Sequence, residues 1–264
     1  GLTHGQTAVV LPVRTDQGAA AVLKVGWPNP ETRHEHLALR AWNGRGAVRL
    51  LRADPRRSVL LLERADAARD LTTLPVLKAC AVVAELYGAL HRPALPQLDR
   101  LSVLAASWAE RLPRLAARGL VPRRLVEQAA GLARDFALDP ATDGTLLHRD
   151  LHYENVLAAL GPSTDTWVAI DPQPLSGDPA YEVAPLLWNR WPEVLAADRA
   201  REALLARFLT VVDAAGLDEE RARAWVVVRE LVNVCWAVED AERGRPLDRA
   251  WITAATTIVK AVQR

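Results

Sequence analysis

Apolar runs at positions 7–13 and 19–25 flank Asp16-Gln17-Gly18, a turn-forming triplet, and the arrangement predicts an antiparallel hairpin. Pro28 and Pro30 end the second run. Leu37, Leu39 and Trp42 then recur at a spacing compatible with an amphipathic helix over 31–42. Runs at 48–52 and 58–63 predict a second hairpin around Asp54-Pro55-Arg56. Strand, strand, helix, strand, strand is the order of a small antiparallel sheet with one helix laid on it.

After Arg64 the period lengthens. Segments 75–91, 103–118 and 122–136 are helical by pattern and rich in Ala, Leu and Arg. A loop-like stretch at 139–144 leads into 146–191, where polar residues that can carry chemistry are densest. The clearest of the remaining helices spans 219–243, with Trp225, Val228, Val232, Cys235 and Glu239 near one mostly apolar stripe. No internal repeat or low-complexity tract interrupts the chain. The pattern is α+β in two parts, a β-rich 1–66 and a helical 67–264.

Composition narrows the function classes. Half of the 264 residues are hydrophobic and a quarter charged, as in a globular protein. A net charge of +1 gives no field toward nucleic acid or an acidic membrane, no basic stripe or aromatic platform accompanies a binding motif, and no apolar stretch is long enough to span a bilayer. Cys80 and Cys235 lack metal or redox spacing and read as buried small hydrophobes, which fits a reducing, cytoplasmic setting. The chain holds no Met and starts at Gly1 in what looks like mid-sheet, so a preceding segment is expected and the N-terminal sheet looks truncated.

The segment Leu147-His148-Arg149-Asp150-Leu151-His152-Tyr153-Glu154-Asn155 has the spacing H-R-D-x-x-x-x-N. Phosphoryl transfer needs that spacing, because one carboxylate must reach the acceptor hydroxyl while an amide reaches a magnesium ion on the nucleotide side of the same loop. Asp150 is the candidate base and Asn155 the candidate metal ligand. The alternative is a polar turn in which both cap backbone groups. A second acid, Asp171, ends the hydrophobic run 166–170 and precedes Pro172. An ionised carboxylate there is costly unless paired or bound to a metal, so Asp171 is the second candidate magnesium ligand; an Asp-Pro turn is the bland alternative. Upstream, Lys24 lies within the apolar strand 20–25, a counterpart of the V-A-I-K lysine, with Glu35 as its candidate ion-pair partner and Glu31 as the fallback.

These residues carry a resemblance. His148-x-Asp150-Leu151-His152-x-x-Asn155, Ala169-Ile170-Asp171-Pro172 and the run from Gly177 to Pro185 look like the aminoglycoside phosphotransferase superfamily. Leu186-Leu187-Trp188-Asn189-Arg190-Trp191 resembles its streptomycin 6-phosphotransferase and hydroxyurea kinase branch. The resemblance covers nearly the whole chain and implies a bilobal protein-kinase-like fold, a small antiparallel-sheet N-terminal lobe that binds nucleotide, and a larger helical C-terminal lobe. Departures are Arg149 where the family usually carries Gly, and 1–6 where a phosphate loop is expected but neither the glycine pattern nor a preceding strand is found. Gly5 is its one candidate glycine.

The resemblance implies an ATP- and magnesium-dependent transfer to a hydroxyl of a small molecule, streptomycin or hydroxyurea. Adenine would meet backbone groups of Leu62, Glu63 and Arg64. Glu182, Trp188, Arg190 and Glu230, with Trp191, Glu239 and Asp240, are candidates around a guanidinium-bearing acceptor. Glu182 equally reads as a helix cap or a partner of Arg190. Competing readings are a metabolic kinase of the same fold, which shares every phosphate-side residue, and a non-catalytic binding module, which degraded catalytic positions would favour.

Overall fold

The structure, a computed structural model, describes residues 3–4, 8–161 and 166–263. The chain divides into two compact units, one formed by Gly1–Leu98 with Leu146–Leu175 and the other by Asp99–Thr145 with Ser176–Arg264.

In the first unit, β1 (Thr3–His4), β2 (Ala8–Arg14), β3 (Ala20–Gly26), β4 (Leu50–Asp54) and β5 (Val59–Glu63) form an antiparallel sheet in the order 1-2-3-5-4. Both predicted hairpins are present. The β2–β3 turn closes with Gly18 N–H donating to Thr15 O at 2.8 Å, and Gly18 has φ +82, a conformation glycine adopts freely. β1 pairs with β2 at Val9 and Val10, so a short strand lies inside the stretch expected to be only loop. Gly5 lies outside the described residues.

The helix expected over 31–42 begins at Glu35: α1 spans Glu35–Trp42. Residues 30–34 are turns instead, because the Asn29 side chain accepts the Glu31 N–H at 2.9 Å and the helix ladder starts only at Thr32 and His34. β6 (Ala65–Asp70) follows β5 almost at once and pairs antiparallel with Val156–Ala159, which in turn pairs with Trp167–Ala169. The boundary drawn at 66/67 therefore falls inside a strand. α2 (Val76–Leu90) completes the unit and buries Ala79, Cys80, Val83, Tyr87 and Leu90. Gly46 makes a close approach here: a Cβ would sit 2.9 Å from Ala89 Cβ, and its φ is +75. That lets Gly46 O and Val48 N bond to both sides of Ala169, at 2.8 and 3.0 Å.

The second unit is largely helical: α3 (Leu101–Arg111), α4 (Arg123–Leu138), α5 (Pro185–Trp188), α6 (Trp191–Ala196), α7 (Ala200–Ala215), α8 (Glu219–Glu242) and α9 (Arg249–Val262). The helix expected over 103–118 changes to a 3₁₀ turn at Leu112, since Pro113 has no N–H for the α ladder. α8 is buried continuously from Trp225 to Cys235 rather than along one stripe, because α4, α9 and two 3₁₀ turns surround it. Asp178 anchors this unit: it caps its own turn at Ala180 N, accepts Trp225 Nε1–H at 2.7 Å and pairs with Arg221, which also holds Asp139 at 2.6 Å. No helix among the described residues is long and apolar enough to cross a membrane.

α3 has no side-chain cap of its own. Asp143, 41 positions away, accepts Ser102 N–H at 3.0 Å and Ser102 Oγ–H at 2.6 Å, and pairs with Arg100. Burial alone would raise the Asp143 pKa, but the bonds from Ser102 and Arg100 outweigh it and hold it below the usual value. We expect Asp143→Ala to cost about 1–2 kcal/mol at neutral pH. Because the folded pKa is depressed, this stabilisation is present above the unfolded pKa and lost as pH falls through the folded one. Urea melts of parent and variant should therefore converge below about pH 4.

Candidate active site

Lys24 stands at the middle of β3, where period two puts it on the same sheet face as Val22, Leu60 and Leu62. Its side chain is 8% exposed, and Nζ lies 2.7 Å from both carboxylate oxygens of Glu35 and 2.5 Å from Asp171 Oδ1. Glu35 is the first residue of α1 and nearly as buried. One ammonium thus faces two acids. Burial pulls the Lys24 pKa down, yet the two carboxylates more than compensate and hold it above the ordinary lysine value. For Glu35, burial dominates over the pull of Lys24 and, with Asp171 adding repulsion, lifts the pKa to about 7. Glu35 is the partner of Lys24; the fallback, Glu31, instead accepts from Arg149 Nη2 at 2.7 Å.

Asp171 has φ +56, a left-handed conformation uncommon for a non-glycine residue, and such strain concentrates at functional sites. The backbone around it is held on both sides: Ile170 N–H donates to Asn155 O at 2.9 Å, and Gln173 N–H to His148 O at 3.0 Å. His148 Nε2 lies 2.9 Å from Ile170 O, and the ring stacks near Trp42, whose Nε1–H donates to Leu90 O at 2.8 Å. The histidine of the motif is therefore a fully buried brace between the loop and the strand that delivers Asp171.

On the loop, Asn155 Nδ2 donates to Asp150 O at 2.8 Å, and Oδ1 is the atom of that amide able to ligate a cation. Asp150 Oδ2 accepts Gln173 Nε2–H at 3.1 Å and lies 3.9 Å from His152 Nε2. Its carboxylate is about three-tenths exposed, accessible to a hydroxyl in solution. Gln173 had no role by sequence pattern; its only signal is that it follows Asp171 by two positions.

A cavity of about 650 Å³ is lined by Ala8, Val10, Pro12, Val22, Lys24, Leu62, Glu63, Arg64, Asn155, Ile170 and Asp171, among others. It joins apolar sheet residues at one part to a lysine, an amide and a carboxylate at another, the lining a flat base and an anionic tail require. Asn155 and Asp171 offer hard oxygen donors, and among the described residues no cluster of three or more acids, His or Cys forms a metal cage. Two oxygen ligands fit magnesium, which keeps several waters and completes its shell with phosphate oxygens.

The acceptor-side candidates lie in the second unit. Glu182 is fully buried in the 3₁₀ turn Pro179–Val183. Arg190, at φ +55, pairs with Glu193 at 2.6 Å. The ring of Trp188 has Trp251 at 6.2 Å and the Arg229 guanidinium at 5.3 Å, so a cation of the chain itself already lies against it. Glu239 pairs with Arg111 and Asp240 with Arg245. Glu230 is fully buried on α8, and neither carboxylate oxygen has a hydrogen-bond partner among the described residues. Burial pushes its pKa well above the usual value despite the neighbouring Arg229; the Asn233 amide lies beside it without reaching hydrogen-bond geometry.

The profile of the aminoglycoside/hydroxyurea antibiotic resistance kinases matches residues 2–241. The chain belongs to that family. It is 39% identical to the streptomycin 6-kinase of Streptomyces glaucescens over 260 residues, 96% of this chain and 82% of that protein. It is 42% identical to the hydroxyurea phosphotransferase of Kitasatospora aureofaciens over 249 residues, 92% of this chain and 69% of that one. Among solved structures, the choline kinase LicA of Streptococcus pneumoniae aligns with a TM-score of 0.61 at 16% identity, over 98% of this chain and 91% of that one. At that identity the likeness gives the fold, which is protein-kinase-like, as the sequence motifs imply. Within this kinase family the described geometry gathers Lys24, Glu35, Asp150, Asn155 and Asp171 in one unit.

Proposed function

We propose that the protein is an ATP- and magnesium-dependent phosphotransferase that moves the γ-phosphoryl group to a hydroxyl of streptomycin or hydroxyurea. The observation that carries this reading is the Glu35–Lys24–Asp171 chain of charges, of which Lys24 and Asp171 line one cavity with Asn155, and Asp150 stands on the loop that Asn155 braces. Backbone groups of Leu62, Glu63 and Arg64 take the adenine edge, and Lys24 offsets charge on the α- and β-phosphates. Asn155 Oδ1 and the Asp171 carboxylate would hold the magnesium, which would neutralise phosphate charge. Asp150 orients the acceptor hydroxyl and takes its proton as the oxygen–phosphorus bond forms and the bond from the γ-phosphorus to the β,γ-bridging oxygen breaks, releasing ADP.

The names of the relatives support these two acceptors. Glu230, a buried carboxyl beside Arg229 whose oxygens accept no hydrogen bond among the described residues, is the acid we propose for a guanidinium of streptomycin, whereas hydroxyurea needs no such acid. The test is ADP release from ATP and magnesium across streptomycin, hydroxyurea and other aminoglycosides. Acceptor-dependent release from one of the two named compounds is expected. Release stimulated only by a sugar or amino alcohol would replace this reading with a metabolic kinase, and nucleotide binding without any acceptor-dependent release would replace it with a binding module.

A further inference from the structure

We infer that Arg149 and Glu31 are positioning residues, an ion-pair clamp that fixes the catalytic loop to the segment leading into α1; the inference rests on the phosphotransferase reading above. Arg149 immediately precedes Asp150 and has φ +73, in the left-handed region that favours glycine. A residue with a long side chain holds that conformation only where the side chain gives something back. Here the side chain is 11% exposed, and Nη2 donates to Glu31 Oε1 at 2.7 Å. The backbone of Glu31 is fixed, since its N–H donates to Asn29 Oδ1, and it stands four positions before Glu35, whose N–H donates to Thr32 O at 3.0 Å; its side chain is half-exposed. One bond therefore joins the residue next to Asp150 to the turn that sets the start of α1, and with it the partner of Lys24.

A neighbouring tie runs from Glu35 through Lys24 on β3 to Asp171. Phosphates draw on Lys24 and a divalent cation draws on Asp171, so both residues have other duties during catalysis. Neither Glu31 nor Arg149 is among the residues that line the nucleotide cavity, so their bond is expected to persist through the cycle. The clamp keeps Asp150 aligned with Lys24 and Glu35 while the other tie is being used.

The test compares the parent chain with Glu31→Gln, Arg149→Gly and the charge-swapped double variant Glu31→Arg/Arg149→Glu. Three readouts are taken: kcat with the best acceptor, affinity for ADP by titration, and hydrogen exchange of amides 31–35 and 150–153. Each single variant is expected to lose about tenfold in kcat, in line with the cost of a misplaced catalytic group. ADP affinity should change less than about twofold, because no nucleotide-lining residue is altered. Exchange should quicken in both segments in each single variant, and the double variant should regain most of the kcat. Arg149→Gly should not lower the melting temperature, since glycine relieves the backbone. Unchanged exchange in Glu31→Gln and Arg149→Gly overturns the clamp, as does a kcat loss that the charge swap leaves unrepaired. If the parent phosphorylates no acceptor, the phosphotransferase reading falls, and the exchange comparison alone still decides whether the two segments are clamped.

Discussion

Asp150→Ala is expected to lower kcat by about three orders of magnitude while leaving ADP affinity within about twofold of the parent. The separation follows from where the residue stands. Its carboxylate touches Gln173 and approaches His152, and it is absent from the lining of the cavity that holds Lys24, Asn155 and Asp171. Removing it takes away the proposed proton acceptor without opening a core, because the side chain is partly exposed. Its backbone carbonyl, which braces Asn155, survives the substitution. Gln173 cannot substitute, since a neutral amide does not accept the hydroxyl proton. Steady-state turnover with the acceptor that stimulates ADP release, beside a fluorescence titration with ADP, checks both halves. Turnover equal to the parent removes Asp150 from the chemistry; lost ADP affinity assigns it to the nucleotide instead.

That Asp150 and Asn155 belong to one loop was readable because they are five positions apart, and the Asn155 Nδ2 bond to Asp150 O ties them together. Lys24 was readable because a charge inside the apolar run 20–25 is anomalous. Glu35 and Glu31 could not be separated so firmly, since choosing between them depends on Asn29 delaying the helix and on Arg149 drawing Glu31 away. β6 was missed because Ala-Asp-Ala-Ala-Arg-Asp alternates weakly and pairs with residues about ninety positions on; strand pairing at that range leaves no local mark. The split of the chain into discontinuous units is invisible for the same reason. On the acceptor side, burial decided matters that spacing could not. Glu182 and Glu230 look like any acids on helical segments until their complete enclosure is seen.

Lys24→Met should abolish turnover, by at least about a hundredfold, and make stability depend on pH in a way the parent's does not. The parent holds Glu35, 4% exposed, against the Lys24 ammonium, and even so burial keeps the Glu35 pKa at about 7. Without Lys24 the main influence lowering that pKa disappears and the folded value climbs further. A carboxyl whose folded pKa is raised contributes stability that is fully present below its unfolded value, about 4.3, and is lost as pH rises through the folded value. In the parent this loss ends near pH 7; in the variant it continues, at about 1.4 kcal/mol per pH unit while one proton separates the folded and unfolded states. The gap in unfolding free energy between the two proteins should therefore widen with pH, reaching about 3 kcal/mol at pH 9 and less than half of that at pH 6. Adding Glu35→Gln to Lys24→Met removes the ionisable group and should flatten the difference. Urea unfolding of the three proteins at pH 6, 7.5 and 9 measures it. Parallel curves for parent and Lys24→Met would mean that Glu35 is not kept ionised by Lys24, and the charge chain on which the nucleotide site rests would have to be redrawn.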